Sequence, residues 1–283
     1  IIIHPGETHR PGKHPDSPTY SAPLGKSGTP EPQTAGQPFT VTVIACDKYY
    51  NILSTNVVVW LNTTDLPDPY AEFTPGNQAI IDKATFTVTL VTRTDISKLR
   101  ITDGIGIKLV DYDDDGTNMR CRVKVNPGPA TRILIAAPGE TFVNGKWNVE
   151  PYGKSGLPHQ QLAGGSGGMP FTIELRLVDE YYNLSDENPP SVSYTITSDD
   201  PNDGSLGPWS IEGAPDPISG SFPAGSATDS KNWKLFTSTG QPTAPGVGWK
   251  IYVTPTAGVQ YGSETQPIKV STNVAIGNAT LLV

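Results

Sequence analysis

The chain repeats one long sequence pattern, and that repetition limits the folds available to it more than any other feature. Residues 38–51 read PFTVTVIACDKYYN, and residues 170–183 read PFTIELRLVDEYYN; the two align without a gap at an offset of 132. Self-similarity at a long period is typical of tandem structural units. A repeated module without a repeated set of reactive side chains usually supplies length or surface.

Two shorter blocks precede each copy of the long one and help to define the units. Pro-Gly-Glu-Thr begins at Pro5 and again at Pro138, and Gly-Lys-Ser-Gly begins at Gly25 and again at Gly153. Two units that divide 283 residues between them are each large enough to have a core of their own. We therefore predict a first repeat over residues 1–127, a second over 128–270 and a C-terminal strand at 271–283.

Composition and hydrophobic alternation predict an all-β fold. The chain has 29 Gly, 28 Pro and only 17% charged residues, which favours short strands joined by turns. Phe39, Val41 and Val43 alternate with threonines, the period of a half-buried strand. The net charge of −8 disfavours nucleic acid as a partner, because phosphate binding needs clustered Lys and Arg. No apolar run is long enough to span a bilayer.

The order of these blocks resembles that of the bacterial immunoglobulin-like repeats of large surface proteins, to which the modules of invasin- and intimin-type adhesins are related. The pattern is a strand, PGET, a Gly/Pro-rich stretch with GKSG, then PFTVTV…D.YYN, an Asp-Gly hairpin and a closing strand. The resemblance covers both repeats, most closely in residues 1–51 and 131–183. It implies an exported chain of two tandem immunoglobulin-like β-sandwich domains, extracellular or on the cell surface. It implies no catalytic residues, so we expect that the chain is not an enzyme.

The junction between the repeats is a template for the two chain ends. Ala130-Thr131, an apolar strand and Pro138 follow one another there, while the C-terminus reads Ala279-Thr280-Leu281-Leu282-Val283 and the N-terminus opens on Ile1-Ile2-Ile3. Written tail to head, Thr280 lies eight positions before Pro5, against seven between Thr131 and Pro138. We therefore predict that one first strand is divided between the two ends of the chain.

The predicted assembly residues are those two ends, Ile1, Ile2 and Ile3 in the incomplete strand and Leu281, Leu282 and Val283 in the segment that completes it. The chain is either an excerpt of a longer array or a subunit whose C-terminal strand completes the next subunit, which gives a filament. Its partners would be copies of itself or adjacent repeats. The predicted function is a structural subunit or segment of an extracellular fibre or multi-repeat surface protein. The alternative is an adhesin fragment whose loops bind a host protein or a glycan.

One turn has the carboxylate spacing of a calcium loop. Asp111, Asp113 and Asp115 occupy positions 1, 3 and 5, and Gly116 occupies position 6. The twelfth position is Arg122, where such a loop requires a bidentate Glu. The alternative is a simple Asp-Gly hairpin turn. Calcium is the one cofactor that the sequence suggests.

Two cysteines and three sequons are further candidate sites. Cys46 and Cys121 form a disulfide in one interpretation, but strand alternation places them on faces of different character, so free thiols remain the alternative. Asn62, Asn183 and Asn278 each fit the N-glycosylation pattern. Short sequons arise often by chance, which makes them a weak indication of a surface location.

Two repeated motifs invite a ligand interpretation. The pairs Tyr49-Tyr50 and Tyr181-Tyr182 are predicted to cap the core at a strand end, with a carbohydrate-stacking platform as the alternative. Gly25-Lys26-Ser27 resembles the end of a phosphate-binding loop. It lacks the required upstream glycine, and Pro30 prevents the helix that would follow, so we reject that interpretation.

Overall fold

The computed structural model of the chain describes residues 1–17, 23–63, 68–103, 122–165, 170–201, 217–239 and 247–272. The chain divides into two compact units, unit 1 covering Ile1–Asn126 and unit 2 beginning at Pro127. Every regular element among the described residues is a β-strand, which confirms the all-β prediction. A search of the same residues finds no helix long and apolar enough to cross a membrane.

Unit 1 is built from short strands, as its turn-rich composition predicts. In chain order its described strands are β1 (Ile2–Ile3), β2 (Glu7–His9), β3 (Lys26–Gly28), β4 (Gln33–Thr34), β5 (Pro38–Ile44), β6 (Val57–Thr63), β7 (Glu72–Thr74), β8 (Asn77–Ile80), β9 (Lys83–Thr89), β10 (Thr94–Asp103) and β11 (Arg122–Asn126). They form a sheet of order β1-β5-β9-β7, a sheet of order β4-β11-β10-β6-β8 and the ribbon β2-β3.

The alternation seen in the sequence of β5 corresponds to burial. Phe39, Val41 and Val43 are buried, and the threonines between them face outward or lie half-buried. Strands β10 and β11 pair antiparallel, with Ser97 opposite Val123. The predicted Asp-Gly hairpin between these two strands lies outside the described residues.

Unit 2 repeats this plan with local differences. Its described strands are β12 (Arg132–Ala136), β13 (Glu140–Phe142), β14 (Lys154–Gly156), β15 (Gln161–Leu162), β16 (Phe171–Val178), β17 (Val192–Ser198), β18 (Ile218–Phe222), β19 (Thr228–Trp233), β20 (Ile251–Ala257), β21 (Ser263–Glu264) and β22 (Val270–Ser271). They form sheets of order β12-β16-β19 and β18-β17-β20-β21, together with the pairs β13-β14 and β15-β22.

The two larger sheets of unit 2 share one hydrophobic core. Ile133, Leu175 and Trp233 of the first sheet belong to the same cluster of buried side chains as Tyr194 and Phe222 of the second. Burying each large apolar side chain stabilises the fold by roughly 1.5–3 kcal/mol. The buried residues of these strands therefore form the inner face of each sheet.

Candidate functional site

The two short repeated motifs meet in a small antiparallel ribbon in each unit. In unit 1, Glu7 lies opposite Gly28 and His9 lies opposite Lys26. In unit 2, Glu140 lies opposite Gly156 in the same register. The Pro-Gly-Glu-Thr and Gly-Lys-Ser-Gly blocks are thus the two strands of one structural element.

This ribbon brings a glutamate and a lysine into a buried ion pair in both units. Lys26 Nζ lies 2.9 Å from Glu7 Oε1, and the two side chains are 1% and 2% exposed. Lys154 Nζ lies 2.9 Å from Glu140 Oε1, with side chains 4% and 0% exposed. Each lysine also donates to a backbone carbonyl, that of Ile2 (3.1 Å) in unit 1. The lysine of the Gly-Lys-Ser motif is therefore part of the core.

Burial and pairing act on these groups in opposite directions. Burial raises the pKa of Glu7, but hydrogen bonds from His4 and the charge of Lys26 outweigh it and leave the pKa below its ordinary value. Burial lowers the pKa of Lys154, and the carboxylate of Glu140 offsets this only in part. In unit 1 the lysine of the pair holds the first strand to the ribbon through its bond to the Ile2 carbonyl. In unit 2 Lys154 donates instead to the carbonyl of Glu264 in β21 (2.8 Å).

The Asp-x-Tyr-Tyr-Asn segment forms the same tight turn in both units. Asp47 accepts hydrogen bonds from the backbone N–H groups of Tyr49 and Asn51 and from the Asn51 side chain. Tyr50 and its counterpart Tyr182 have φ angles of 64° and 65°, in the left-handed region that non-glycine residues seldom adopt.

The second tyrosine of each turn explains the first glycine of Gly-Lys-Ser-Gly. A Cβ at Gly25 would overlap Tyr50 Cδ1, and a Cβ at Gly153 would lie 2.6 Å from Tyr182 Cδ1. Only glycine lets the ring pack this closely, and both glycines also have φ near 65°. The repeated tyrosines therefore pack against the ribbon, as the core-capping prediction requires.

One further repeated feature, a buried aspartate in each unit, was missed from the sequence. Asp68 and Asp200, related by the same offset of 132, are both buried, and each accepts two backbone N–H bonds, in unit 2 from Phe236 and Thr237. Their short acidic contexts, TDLPDPY and TSDDPND, differ too much to align by eye. The offset itself was the signal that could have found them.

The predicted assembly residues Ile1, Ile2 and Ile3 begin unit 1 as a short edge strand. Ile2 pairs with Val43 and is fully buried, and the backbone of Ile1 exchanges two hydrogen bonds with Ile44. The first strand is therefore docked on β5. Leu281, Leu282 and Val283 lie outside the described residues.

The same register holds in unit 2, where the first strand is longer. Ile135 pairs with Leu175 as Ile2 pairs with Val43, and the strand continues back through Leu134, Ile133 and Arg132. Ile133 is fully buried in the core and lies opposite Leu177. The unit 1 counterparts of Leu177 and Val178, at the same offset of 132, are Ala45 and Cys46.

A groove lies beside Ile1 in unit 1, where unit 2 holds Ile133. It has a volume of about 310 Å³, and most of the residues that line it are apolar. We call it the unit 1 groove. It is lined by Ile1, Val43, Ile44, Ala45, Cys46, Leu53, Thr55, Val57, Val59, Ile80 and Ile101.

The rim of the unit 1 groove is more exposed than the matching part of unit 2. Ile52 and Leu53 are 49% and 46% exposed. Their counterparts at the offset of 132 are Leu184, which packs against the unit 2 core, and Ser185, which is 2% exposed. Ser185 donates to the carbonyl of Gly128 (2.8 Å), so the segment before β12 covers this end of unit 2.

Asp47 of unit 1 and its counterpart Asp179 of unit 2 also differ in exposure. Asp179 is 1% exposed and accepts a 2.8 Å hydrogen bond from Gly128 N; burial raises its pKa, despite hydrogen bonds from Asn183 and Gly128. The hydrogen bond from the Asn51 side chain lowers the pKa of the solvated Asp47. One segment, residues 128–133, accounts for both the closed end and the buried carboxylate of unit 2.

The remaining predicted sites are only partly within the described residues. Cys46 Sγ lies 3.9 Å from His9 Nε2, while Cys121 lies outside the described part of the chain, so the disulfide stays a prediction. Asp111, Asp113 and Asp115 also lie outside it, and calcium stays a prediction. Among the described residues, no group of three or more His, Cys, Asp or Glu side chains could hold a metal ion.

The three sequons fall in different environments. Asn62 is half-buried on β6, and its amide donates to Thr102 Oγ1 (3.1 Å). Asn183 is fully buried, and its amide donates to Asp179 Oδ2 (3.0 Å), which leaves no space for a glycan in the folded unit. Asn278 lies outside the described residues. Glycosylation of Asn62 and Asn278 stays a prediction.

Comparison with known proteins gives structural matches alone. No family model matches the chain, and no curated protein matches it. An adhesin of Yersinia pseudotuberculosis, InvE, is 13% identical, with a TM-score of 0.24 over 83% of this chain and 56% of the adhesin. A Pseudomonas aeruginosa chaperone, CupB2, is 10% identical, with a TM-score of 0.20 over 82% of this chain and 96% of the chaperone.

Enzymes among the structural matches correct the prediction that the chain is not an enzyme. A glycosyl hydrolase family 2 protein of Bacteroides cellulosilyticus is 13% identical, with a TM-score of 0.31 over 95% of this chain and 28% of the hydrolase. A β-glucuronidase and a β-glycosidase also match. The expectation that the chain is not an enzyme is wrong on this finding, since enzymes are among its structural neighbours. The chain spans little more than half of the adhesin and under a third of the hydrolase.

Proposed function

We propose that the chain is a structural segment of an extracellular fibre or multi-repeat surface protein, built from two immunoglobulin-like sandwiches and assembled head to tail. One observation carries the proposal: unit 1 has an apolar groove where unit 2 is filled by its own preceding strand residue Ile133. A strand that enters the groove would extend β1 along β5 and cover the exposed Leu53.

The C-terminal segment of a second copy has the sequence to fill this groove. Residues 128–134 read GPATRIL, and residues 277–283 read GNATLLV. Ile1 already stands where unit 2 has Leu134, so the residue that directly precedes it tail to head, Val283, takes the place of Ile133. The Ala-Thr pair then lies one residue further from the groove than in unit 2. Strand addition supplies backbone hydrogen bonds, and the apolar side chains supply the specificity. Because donor and acceptor are different surfaces, the contact is heterologous and propagates as a filament unless it closes into a ring.

The proposed location and partners follow from this assembly. A chain whose units pair with further copies, or with adjacent repeats of the same polypeptide, forms a long rod, and such rods are used at the cell surface and outside it. The low content of charged residues and the short strands joined by turns in both units suit this role.

Two matched variants test the assembly. Deleting residues 279–283 removes the donor, and Ala45→Trp fills the acceptor groove. We expect each variant alone to be monomeric by light scattering and to form no filaments by negative-stain microscopy. Mixed together they should form one-to-one dimers, because the donor of the Ala45→Trp chain enters the open groove of the truncated chain.

The control is Thr87→Trp, a substitution of the same size on the exposed face of β9, which should leave assembly intact. Circular dichroism confirms that each variant is folded. Filaments of normal length from the chain lacking residues 279–283 would contradict the proposal, as would an absence of dimers in the mixture.

A further inference from the structure

Unit 2 holds a second cavity, distinct in character from the unit 1 groove. It encloses about 550 Å³, and polar and apolar atoms line it in similar measure. We call it the unit 2 cleft. Its lining residues are Leu134, Glu150, Pro151, Tyr152, Lys154, Tyr182, Lys250, Gly262, Ser263, Glu264, Thr265, Gln266 and Pro267.

One wall of the unit 2 cleft is aromatic and rigid. The rings of Tyr152 and Tyr182 stack with centroids 6.0 Å apart and planes 20° apart. The guanidinium of Arg132 lies 4.6 Å from the centre of the Tyr182 ring and donates to its hydroxyl (2.9 Å). Tyr182 is thus fixed in place, while Tyr152 is 42% exposed and offers ring surface to a ligand.

The fold of the repeat does not need an aromatic residue at this position. The residue that precedes Gly-Lys-Ser-Gly is Tyr152 in unit 2 and Leu24 in unit 1. Leu24 is 9% exposed and belongs to the core. A core position in one repeat has therefore become an exposed aromatic ring in the other, beside a cleft that contains charged groups.

The opposite part of the cleft carries hydrogen-bonding groups of both kinds. Lys250 and Glu264 form an ion pair and remain 33% and 47% exposed, so each retains capacity for a further partner. Glu150 is exposed and makes no ion pair within the described residues. The buried Lys154 is already neutralised by Glu140. The accessible charges thus sum to one excess carboxylate, which disfavours an anionic ligand.

We propose that the unit 2 cleft binds a neutral saccharide. A sugar ring presents a flat face of C–H groups, which packs on an exposed aromatic ring such as Tyr152. Its hydroxyls both donate and accept, which matches the carboxylates of Glu150 and Glu264 and the ammonium group of Lys250. Ligand sites are concave and combine apolar surface with a few placed polar groups. The proposal does not rest on filament assembly.

Titration of the intact chain with soluble oligosaccharides tests the site. The probes are cellohexaose, chitohexaose and mannohexaose, with oligogalacturonate as the anionic comparison, followed by calorimetry and tryptophan fluorescence. We expect saturable binding of at least one neutral probe and none of oligogalacturonate. Tyr152→Ala should weaken that binding by about tenfold or more, the value of one stacking contact.

Two control variants separate stacking from general disturbance. Tyr152→Phe retains the ring and should bind within about twofold of the original chain. Tyr49→Ala removes an exposed tyrosine of unit 1 (38% exposed) and should leave binding unchanged. The proposal would be overturned if none of the three neutral probes bound saturably. It would also be overturned if the Tyr152→Ala variant bound the probe with the same affinity as the original chain. Filament formation by Tyr152→Ala should be normal, which keeps this outcome separate from the assembly test.

Discussion

Each unit buries an ion pair away from water. The pair is Glu7 with Lys26 in unit 1 and Glu140 with Lys154 in unit 2. A buried ion pair contributes little net stability by itself, because desolvation opposes the attraction. Removal of one partner is costly, since the other charge is left buried alone. The recurrence of both motifs therefore reflects a constraint on the pair, which acts on two residues at once.

A double-mutant cycle measures this constraint at the residue scale. Lys26→Met alone should destabilise the chain by roughly 3–5 kcal/mol, because the Glu7 carboxylate loses its counter-charge. The pair Lys26→Met with Glu7→Gln should recover more than half of that loss, as Gln retains an acceptor for the backbone N–H of His4 (2.9 Å). Urea unfolding gives the free energies; strict additivity of the two single effects would contradict the prediction.

The pH dependence of stability follows from the direction of the Glu7 shift. The pKa of Glu7 is lower in the folded chain than its ordinary value of 4.5, so the folded state binds fewer protons there. The stabilisation is complete above pH 4.5 and is lost as the pH falls through the folded pKa. In the same cycle, Glu7→Gln should flatten the loss of stability on acidification below pH 4.5.

The first strand is the element whose length distinguishes the two units. In unit 2 it spans Arg132–Ala136 and places Ile133 in the core. In unit 1 the paired part is Ile2–Ile3, and the unit 1 groove lies beyond it. The register on β5 and β16 is the same.

An N-terminal extension tests this at the scale of the element. Placing the sequence of residues 128–133 directly before Ile1 should complete the strand within one chain and bury one further isoleucine. We expect the free energy of unfolding to rise by about 1–2 kcal/mol and the Tm to rise by roughly 3–8 °C. Filament formation should cease, because the groove is then occupied.

An extension of alternating glycine and serine of the same length is the matched control and should change neither Tm nor assembly. Scanning calorimetry measures the unfolding midpoint. An equal Tm for the two extended chains would show that the groove does not accept the strand.

At the scale of the whole molecule, the chain consists of two units that each have their own sheets and buried residues. The core of unit 2 includes the segment that closes its end, from Ala130 and Ile133 onward. Unit 1 instead leaves Ile52 and Leu53 exposed beside its groove. The two units therefore differ in how completely each one covers its own core.

Separate expression of the two units makes this difference measurable. Residues 127–283 should fold cooperatively and remain monomeric, since residues 128–133 already fill the end of unit 2. Residues 1–126 should fold with lower stability and bind a hydrophobic dye at the exposed groove. Adding a peptide of residues 277–283 should abolish dye binding, and a scrambled peptide should not. The prediction fails if the two units have equal stability and bind no dye.

The sequence by itself determined the repeat, the all-β class and the alternation of the long strands, because these depend on residue order and local period. The tertiary structure alone decided that Glu7 meets Lys26, that Asp68 and Asp200 are buried and accept backbone hydrogen bonds, and that a groove lies beside Ile1. Each of these depends on residues far apart in the chain, brought together by strand pairing whose register no local pattern specifies.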